Sequence, residues 1–201
     1  MKLKLYFLTL IFGFCIGCNS SAPNEEKSKL ETYTSKEVGW TIEIPEGYKQ
    51  LSKTRMEANE KKGKDAIGKV TDEEVNTDKL IHLVNFQKNQ FNSLIATAEI
   101  YDTKQNGDLL ASNQPVKKMI YDTYTNQKIK VDTLSGTEVI AGYKFYTFNI
   151  KLYGPSGQVL MDQIMYNQII NGYDFGVTVN YNNETDRGIL MNAFKNSKFI
   201  K

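Results

Sequence analysis

Cysteine is nearly absent. The 201 residues hold two, Cys15 and Cys18, both near the N-terminus. A disulfide or a thiolate metal site inside the body of the chain is therefore excluded. Histidine is rarer still, with His82 alone. Hydrolytic triads and zinc sites that use His need partners placed around it, and no such set is visible. No G-x-S-x-G element occurs, which leaves carboxylate chemistry as the only enzymatic option, with Glu99 and Asp102 as the candidates. Scattered carboxylates on strands ordinarily face solvent, so the expectation is a protein that is not an enzyme, with no catalytic residues, no metal and no cofactor. An apolar run of about 20 residues, the length that crosses a bilayer as a helix, is also lacking. A surplus of either charge is missing too. The formal net charge is +2, and taking Lys2 and Lys4 from the 25 basic residues leaves 23, equal to the 23 acidic ones. A neutral chain argues against nucleic acid as a partner, since phosphate binding needs an excess of cations.

What is present begins with an address. Lys2 and Lys4 precede an apolar run of 12 residues, 5–16, which fits the hydrophobic region of a secretory signal. The run ends in Cys15-Ile16-Gly17-Cys18. This resembles the bacterial lipoprotein lipobox: Gly17 and Cys18 match the cleavage junction, and Cys15 stands where the pattern usually has Leu. The resemblance implies a signal peptide over 1–17, cleavage before Cys18, and acyl chains (palmitate among them) on Cys18, the one lipidation residue. Each buried methylene contributes about 0.8 kcal/mol, so several chains anchor stably where one does not. The alternatives are a cleaved signal with an incidental Cys, or an uncleaved anchor. Residues 18–29 are polar without apolar periodicity, a composition that cannot bury enough surface to order itself. They read as a tether. Asn19 after Cys18 favours the outer membrane under the Gram-negative sorting rule. The implied partners are the membrane, through acyl chains on Cys18, and another envelope protein.

Residues 30–201 read as one domain. The strand around which it is organised is 173–181, where Tyr173, Phe175, Val177, Val179 and Tyr181 alternate with Asp174, Gly176, Thr178 and Asn180. One apolar and one polar face follow from the period of two, and the pattern suggests a sheet packed on one side. Asn171-Gly172 before it is a type I′ hairpin signal. With Gly154-Pro155-Ser156-Gly157 as punctuation, 143–181 reads as an antiparallel meander of three strands. Earlier, residues 31–36 and 40–44 form a hairpin, broken by Pro45-Glu46-Gly47-Tyr48. Residues 80–86 and 93–101 form two more strands, with His82 expected on the same face as Leu80 and Val84 as a satisfied sheet residue rather than a ligand. Residues 128–134 form another, ended by a turn at Ser135-Gly136, with 138–140 a further short strand.

Three helices are expected. Thr54 can cap one over 55–69, with Met56, Glu60, Gly63 and Ile67 on one side. Its charges, within the most charged segment, 52–79, are ordinarily a solvated face, and the other reading is a docking surface for an acidic partner. Ser112 or Asn113 caps a second over 113–124, with Pro115 in its first turn and Val116, Met119, Ile120 and Tyr124 as its stripe. Asn183 caps the last, with Asp186 in the capping-box position and Ile189, Leu190, Ala193 and Phe194 buried. Two short patterns carry little weight: Asn183-Glu184-Thr185 as an N-glycosylation sequon, and Asp132-Thr133-Leu134 as a bacterial O-glycosylation motif.

Trp40-Thr41-Ile42-Glu43-Ile44-Pro45-Glu46-Gly47-Tyr48 resembles the opening of the PsbP/Mog1-like superfamily, which includes DcrB-like bacterial domains. Ile140-Ala141-Gly142-Tyr143-Lys144-Phe145 is similar to the start of that family's long central hairpin, and the closing strand, helix and Ser197-Lys198-Phe199 look like its end. The resemblance covers about 31–200. It implies an α+β fold, an antiparallel sheet flanked by helices in an α/β/α sandwich. It also implies an accessory role in the cell envelope without catalytic residues. A second reading is a carrier of a small apolar molecule or lipid, in a pocket between sheet and helices lined by Tyr143, Phe145, Tyr173 and Phe175; the ordinary reading of those rings is a filled core. The ligand-binding residues are otherwise unknown.

Overall fold

The computed structural model describes residues 31–68 and 76–200. Its centre is the predicted meander. Strands β7 (Tyr143–Tyr153), β8 (Val159–Ile170) and β9 (Tyr173–Tyr181) pair antiparallel in sequence. Asn171 (φ 52°) and Gly172 (φ 80°) make the tight turn, the left-handed conformation that Asn and Gly adopt most readily. Around it the sheet grows to seven strands in the order β3-β4-β5-β9-β8-β7-β6, with β3 (Lys49–Gln50), β4 (Ile81–Asn89), β5 (Asn92–Ile100) and β6 (Lys130–Ile140). A smaller sheet joins β1 (Thr32–Ser35), β2 (Trp40–Glu43) and β10 (Lys198–Phe199), so the two ends of the described domain meet. The α+β reading holds.

Both faces of the large sheet are covered over its central strands. On the first lie the small sheet and α4 (Glu184–Lys195). α4 is capped by Asn183, whose side chain accepts from the Asp186 amide at 2.8 Å. Trp40 is fully buried there beside Phe175, 5.0 Å between ring centroids. Phe145 and Tyr166 pack on Phe194 at 5.6 and 5.1 Å. Offset and edge-on pairs of this kind add to the burial of the rings themselves. On the second face α1 (Lys53–Gly68) and α3 (Leu109–Asn126) form another core, with Ile67, Val116, Met119 and Ile120 against Phe148, Ile150 and Met165. A one-turn helix, α2 (Thr103–Asn106), precedes α3.

Several expectations need correction. First, β9 is not polar on an open side: Asp174, Thr178 and Asn180 are as buried as their apolar neighbours. Second, no turn occurs at Ser135-Gly136. β6 runs through them in unbroken register with β7, Gly136 opposite Thr147. A Cβ on Gly136 would stand 3.1 Å from the Thr147 hydroxyl, so this glycine serves close strand approach rather than a turn. Third, α3 begins earlier, at Leu109, capped by Asp108 accepting from the Ala111 amide. The extra turn buries Leu109 beside Tyr101, and Pro115 then lies inside the helix, where its missing N–H leaves the Ala111 carbonyl without its helical donor. Fourth, a register shift between His82 and Val84 separates these two residues. Val84 enters the first core, while His82 meets α1 on the other side. In α4, Leu190 and Phe194 are buried, but Ile189 is exposed.

Candidate functional site

The polar stripe of β9 lies at the centre of the second face. Register sets its neighbours: Asp174 opposite Glu99, Gly176 opposite Thr97, and Asn180 opposite Ser93 on β5; Asn167 opposite Gly176 and Gln163 opposite Asn180 on β8. Residues directly opposite in an antiparallel pair share a face and touch. The result is a polar layer under the helices, which must satisfy its own hydrogen bonds.

Part of it does. Gln163 Nε2 donates to Asn180 Oδ1 at 2.9 Å, and Asn180 Nδ2 donates to Ser93 Oγ at 3.0 Å. A second chain runs from the helix inward. Asn113 Nδ2 of α3 donates to Asn167 Oδ1 at 2.8 Å, and Asn167 Nδ2 donates to Asp174 Oδ1 at 2.7 Å. That chain has loose ends: Asn113 Oδ1 and Asp174 Oδ2 are buried without a partner among the described residues. Burial pushes the Asp174 carboxyl up to about 7, the Asn167 hydrogen bond opposes this, and the Glu99 charge adds to the rise. A carboxyl so placed takes up a proton near neutrality, and the protonated form turns an acceptor into a donor.

Glu99 connects this pair outward. It lines a recess of about 490 Å³ with Lys79, Ile81, Ile100, Asp102 and Gln105. The two carboxylates singled out in the sequence thus share one recess, but their roles differ. Asp102 caps α2 by accepting from the Lys104 amide. Glu99, expected to face solvent, is only 6% exposed. At the other end, Asn113 and Asn167 line a space of about 20 Å³ with Lys117 and Phe148, enough for one water. Burial holds the Lys117 ammonium below the usual lysine range.

His82 is engaged elsewhere. Its Nε2 lies 2.6 Å from Glu60 Oε2, and Glu60 also accepts from the Thr77 hydroxyl, which in turn accepts from Lys64 Nζ at 3.0 Å. Burial pushes Glu60 up, but the Thr77 and His82 hydrogen bonds and the Lys64 charge outweigh it and hold the carboxyl low. This cluster ties α1 to β4, as a satisfied sheet-face histidine does. The aromatics proposed to line a pocket pack into or against the first core. Phe145 and Phe175 are fully buried, and Tyr143 packs on Phe199 at 4.9 Å. Among the described residues no group of three or more His, Cys, Asp or Glu could hold a metal, and no helix is long and apolar enough to cross a membrane. Cys18, the signal segment and the tether lie outside the described residues.

Asn113, Asn167 and Asp174 were not singled out in the sequence as site residues. The signal was there: the polar positions of β9 are Asp, Gly, Thr and Asn, all short. A solvated strand face ordinarily carries Lys, Glu or Arg.

No protein-family model and no curated protein matches the chain. Solved structures do. The solution structure of cyanobacterial PsbP (CyanoP) from Synechocystis sp. PCC 6803 superposes with a TM-score of 0.56, covering 90% of this chain and 98% of that one at 10% identity. The fold is PsbP-like. The meander, the flanking helices and the β1–β2 opening of this PsbP-like domain are thus the features that the sequence resemblance pointed to. LpqN, described as involved in cell envelope biogenesis of Mycobacterium tuberculosis, matches more loosely, with a TM-score of 0.38, 8% identity and 90% of each chain covered; an overlap of that quality carries no argument. At such identities the likeness establishes a fold and no function.

Proposed function

We propose that the protein is a membrane-tethered accessory domain of the cell envelope, which binds another envelope component and catalyses no reaction. The observation that carries this reading is the filled interior. Trp40, Phe145, Tyr166, Phe175 and Phe194 close the first core on one another, and the space under α3 has room for one water. Among the described residues the larger recesses, about 490 Å³ beside Glu99 and about 540 Å³ between the small sheet and α4, have mixed polar and apolar linings and lie outside this aromatic core, which weighs against carriage of a lipid among the core rings. The lipobox resemblance at Cys18 and the polar stretch 18–29 support a lipid anchor and a tether, and Asn19 supports the outer membrane.

The test is chemical crosslinking in the envelope fraction, with native mass spectrometry of the purified protein. The reading expects one discrete crosslinked protein species and no co-purifying small molecule. A stoichiometric apolar ligand in the native spectrum would replace it with the carrier reading, and a uniform absence of crosslinked species would remove its support.

A further inference from the structure

The outer edge of the large sheet at β6 is long and unguarded. The opposite edge, β3, has two residues; β6 has 11. Residues 132–137 are all exposed. Consecutive side chains on a strand point to opposite faces, so neither face is covered along that stretch. Leu134 and Val139 are each 69% exposed. Natural sheet edges are blunted by proline, by bulges or by lysines. β6 has no proline, pairs with β7 without a register shift, and carries one lysine, at its first position.

We propose that β6 pairs antiparallel with β6 of a second copy of this chain, with Leu134 on the two-fold axis. Charge favours that register over the one centred at Ser135. Centred on Leu134, the pairing sets Lys130 opposite the partner's Glu138, twice by symmetry, and Leu134 against the partner's Leu134. Centred one residue on, at Ser135, it sets Asp132 opposite the partner's Glu138, and like charges directly opposite are destabilising. The arrangement is isologous and closed, as two-fold dimers are, and it makes one continuous sheet across both copies. The charged groups are positioned for it. Glu138 is held by Lys195 at 2.6 Å and by the Tyr166 hydroxyl at 2.9 Å, and a carboxylate has lone pairs for a further cation. Lys130 lies over the Tyr153 ring, 4.6 Å from its centroid. On the second face, Lys117 Nζ donates to Ser135 Oγ at 3.1 Å, which ties α3 to the strand without covering its edge. Two-fold pairing goes beyond the envelope-binding reading and does not depend on it.

The experiment uses the full chain in detergent with Cys15 and Cys18 replaced by Ser, so that any introduced thiol is alone. Leu134→Cys places two thiols across the axis, where facing Cβ atoms approach disulfide distance; Ser135→Cys does not, since position 135 faces 133. Under mild oxidation Leu134→Cys is expected to form dimer about tenfold faster than Ser135→Cys. Light scattering on the unoxidised parent is expected to give two copies, and Leu134→Lys to give one that keeps the parent's circular dichroism spectrum. A monomeric parent, which would leave the edge to a strand of another protein, overturns the proposal. So does equal crosslinking at 134 and 135, or a Leu134→Lys variant that stays dimeric.

Discussion

Replacing Asp174 by Asn is expected to stabilise the protein at neutral pH and above, and to do so by an amount that depends on pH. Burial carries the Asp174 carboxyl from an ordinary 3.8 to about 7, against the Asn167 hydrogen bond and with help from Glu99. In the unfolded chain the group loses its proton near 4; in the folded chain it keeps it until near 7. Between those values the folded state binds more protons, so stability falls as pH rises and levels off above about 7. Three units at 1.36 kcal/mol each give a cost of about 4 kcal/mol at pH 8, as an order of magnitude. Asn at 174 has the shape of the protonated acid, can accept from Asn167 as Oδ1 does, and cannot ionise. The variant is therefore expected to match wild type within about 1 kcal/mol at pH 4 and to exceed it by up to about 4 kcal/mol at pH 8. Urea unfolding at pH 4, 6 and 8 reads this directly: with a slope of about 2 kcal/mol per molar, the midpoints separate by up to about 2 M. Titrating groups that do not interact with Asp174 cancel in the difference between the two proteins, whereas Glu99, whose charge raises Asp174, does not. A difference that stays constant from pH 4 to 8 would refute the reasoning, because Asp174 would then not be the group that holds a proton on folding.

Glu60 has the opposite sign. Burial raises its carboxyl, but Thr77, His82 and Lys64 together hold it below 4.5, so its contribution is present above that value and lost as pH falls through the lower folded value. Glu60→Gln should flatten the acid limb of the stability profile, measured as urea midpoints from pH 5 to 3. Ala141 sits at φ 50° in the two-residue turn before β7, a conformation that costs an L-residue roughly 1–2 kcal/mol. Ala141→Asn should raise stability by about 1 kcal/mol in the same assay, and a loss would show that the turn is held by something other than its backbone. Trp40 is fully buried and donates through Nε1 to Ser197 Oγ at 2.8 Å; Trp40→Ala should cost about 3–5 kcal/mol and lower the thermal midpoint accordingly.

What was legible in the sequence is what local chemistry dictates. Asn171-Gly172 sets a turn by its own φ angles, and Asn183 caps α4 with its own side chain. The alternation of Phe175, Val177 and Val179 fixes which face of β9 meets the aromatic core. What was not legible depends on distant partners. Ser135-Gly136 has turn composition, yet pairing with β7 along its whole length draws it into a strand. His82 changes face because of a bulge that no residue in 80–86 announces. β10 pairs with β2 across the domain, with Lys198 opposite Thr41. The buried polar layer escaped because Asp174 lies at the end of a hydrogen-bond chain that comes in from α3 through Asn113 and Asn167, and a period of two states only that the faces differ. Its one trace was the shortness of the polar side chains. The lipidation proposed at Cys18 rests on its neighbours Ile16 and Gly17 rather than on the fold.

The central claim, a lipid-tethered envelope domain, is tested most directly by metabolic labelling with a palmitate analogue in wild type and Cys18→Ala. The account predicts label on the wild-type protein, recovered with the membrane fraction, and none on the variant. An unlabelled wild type, or a variant that keeps its label, would contradict it.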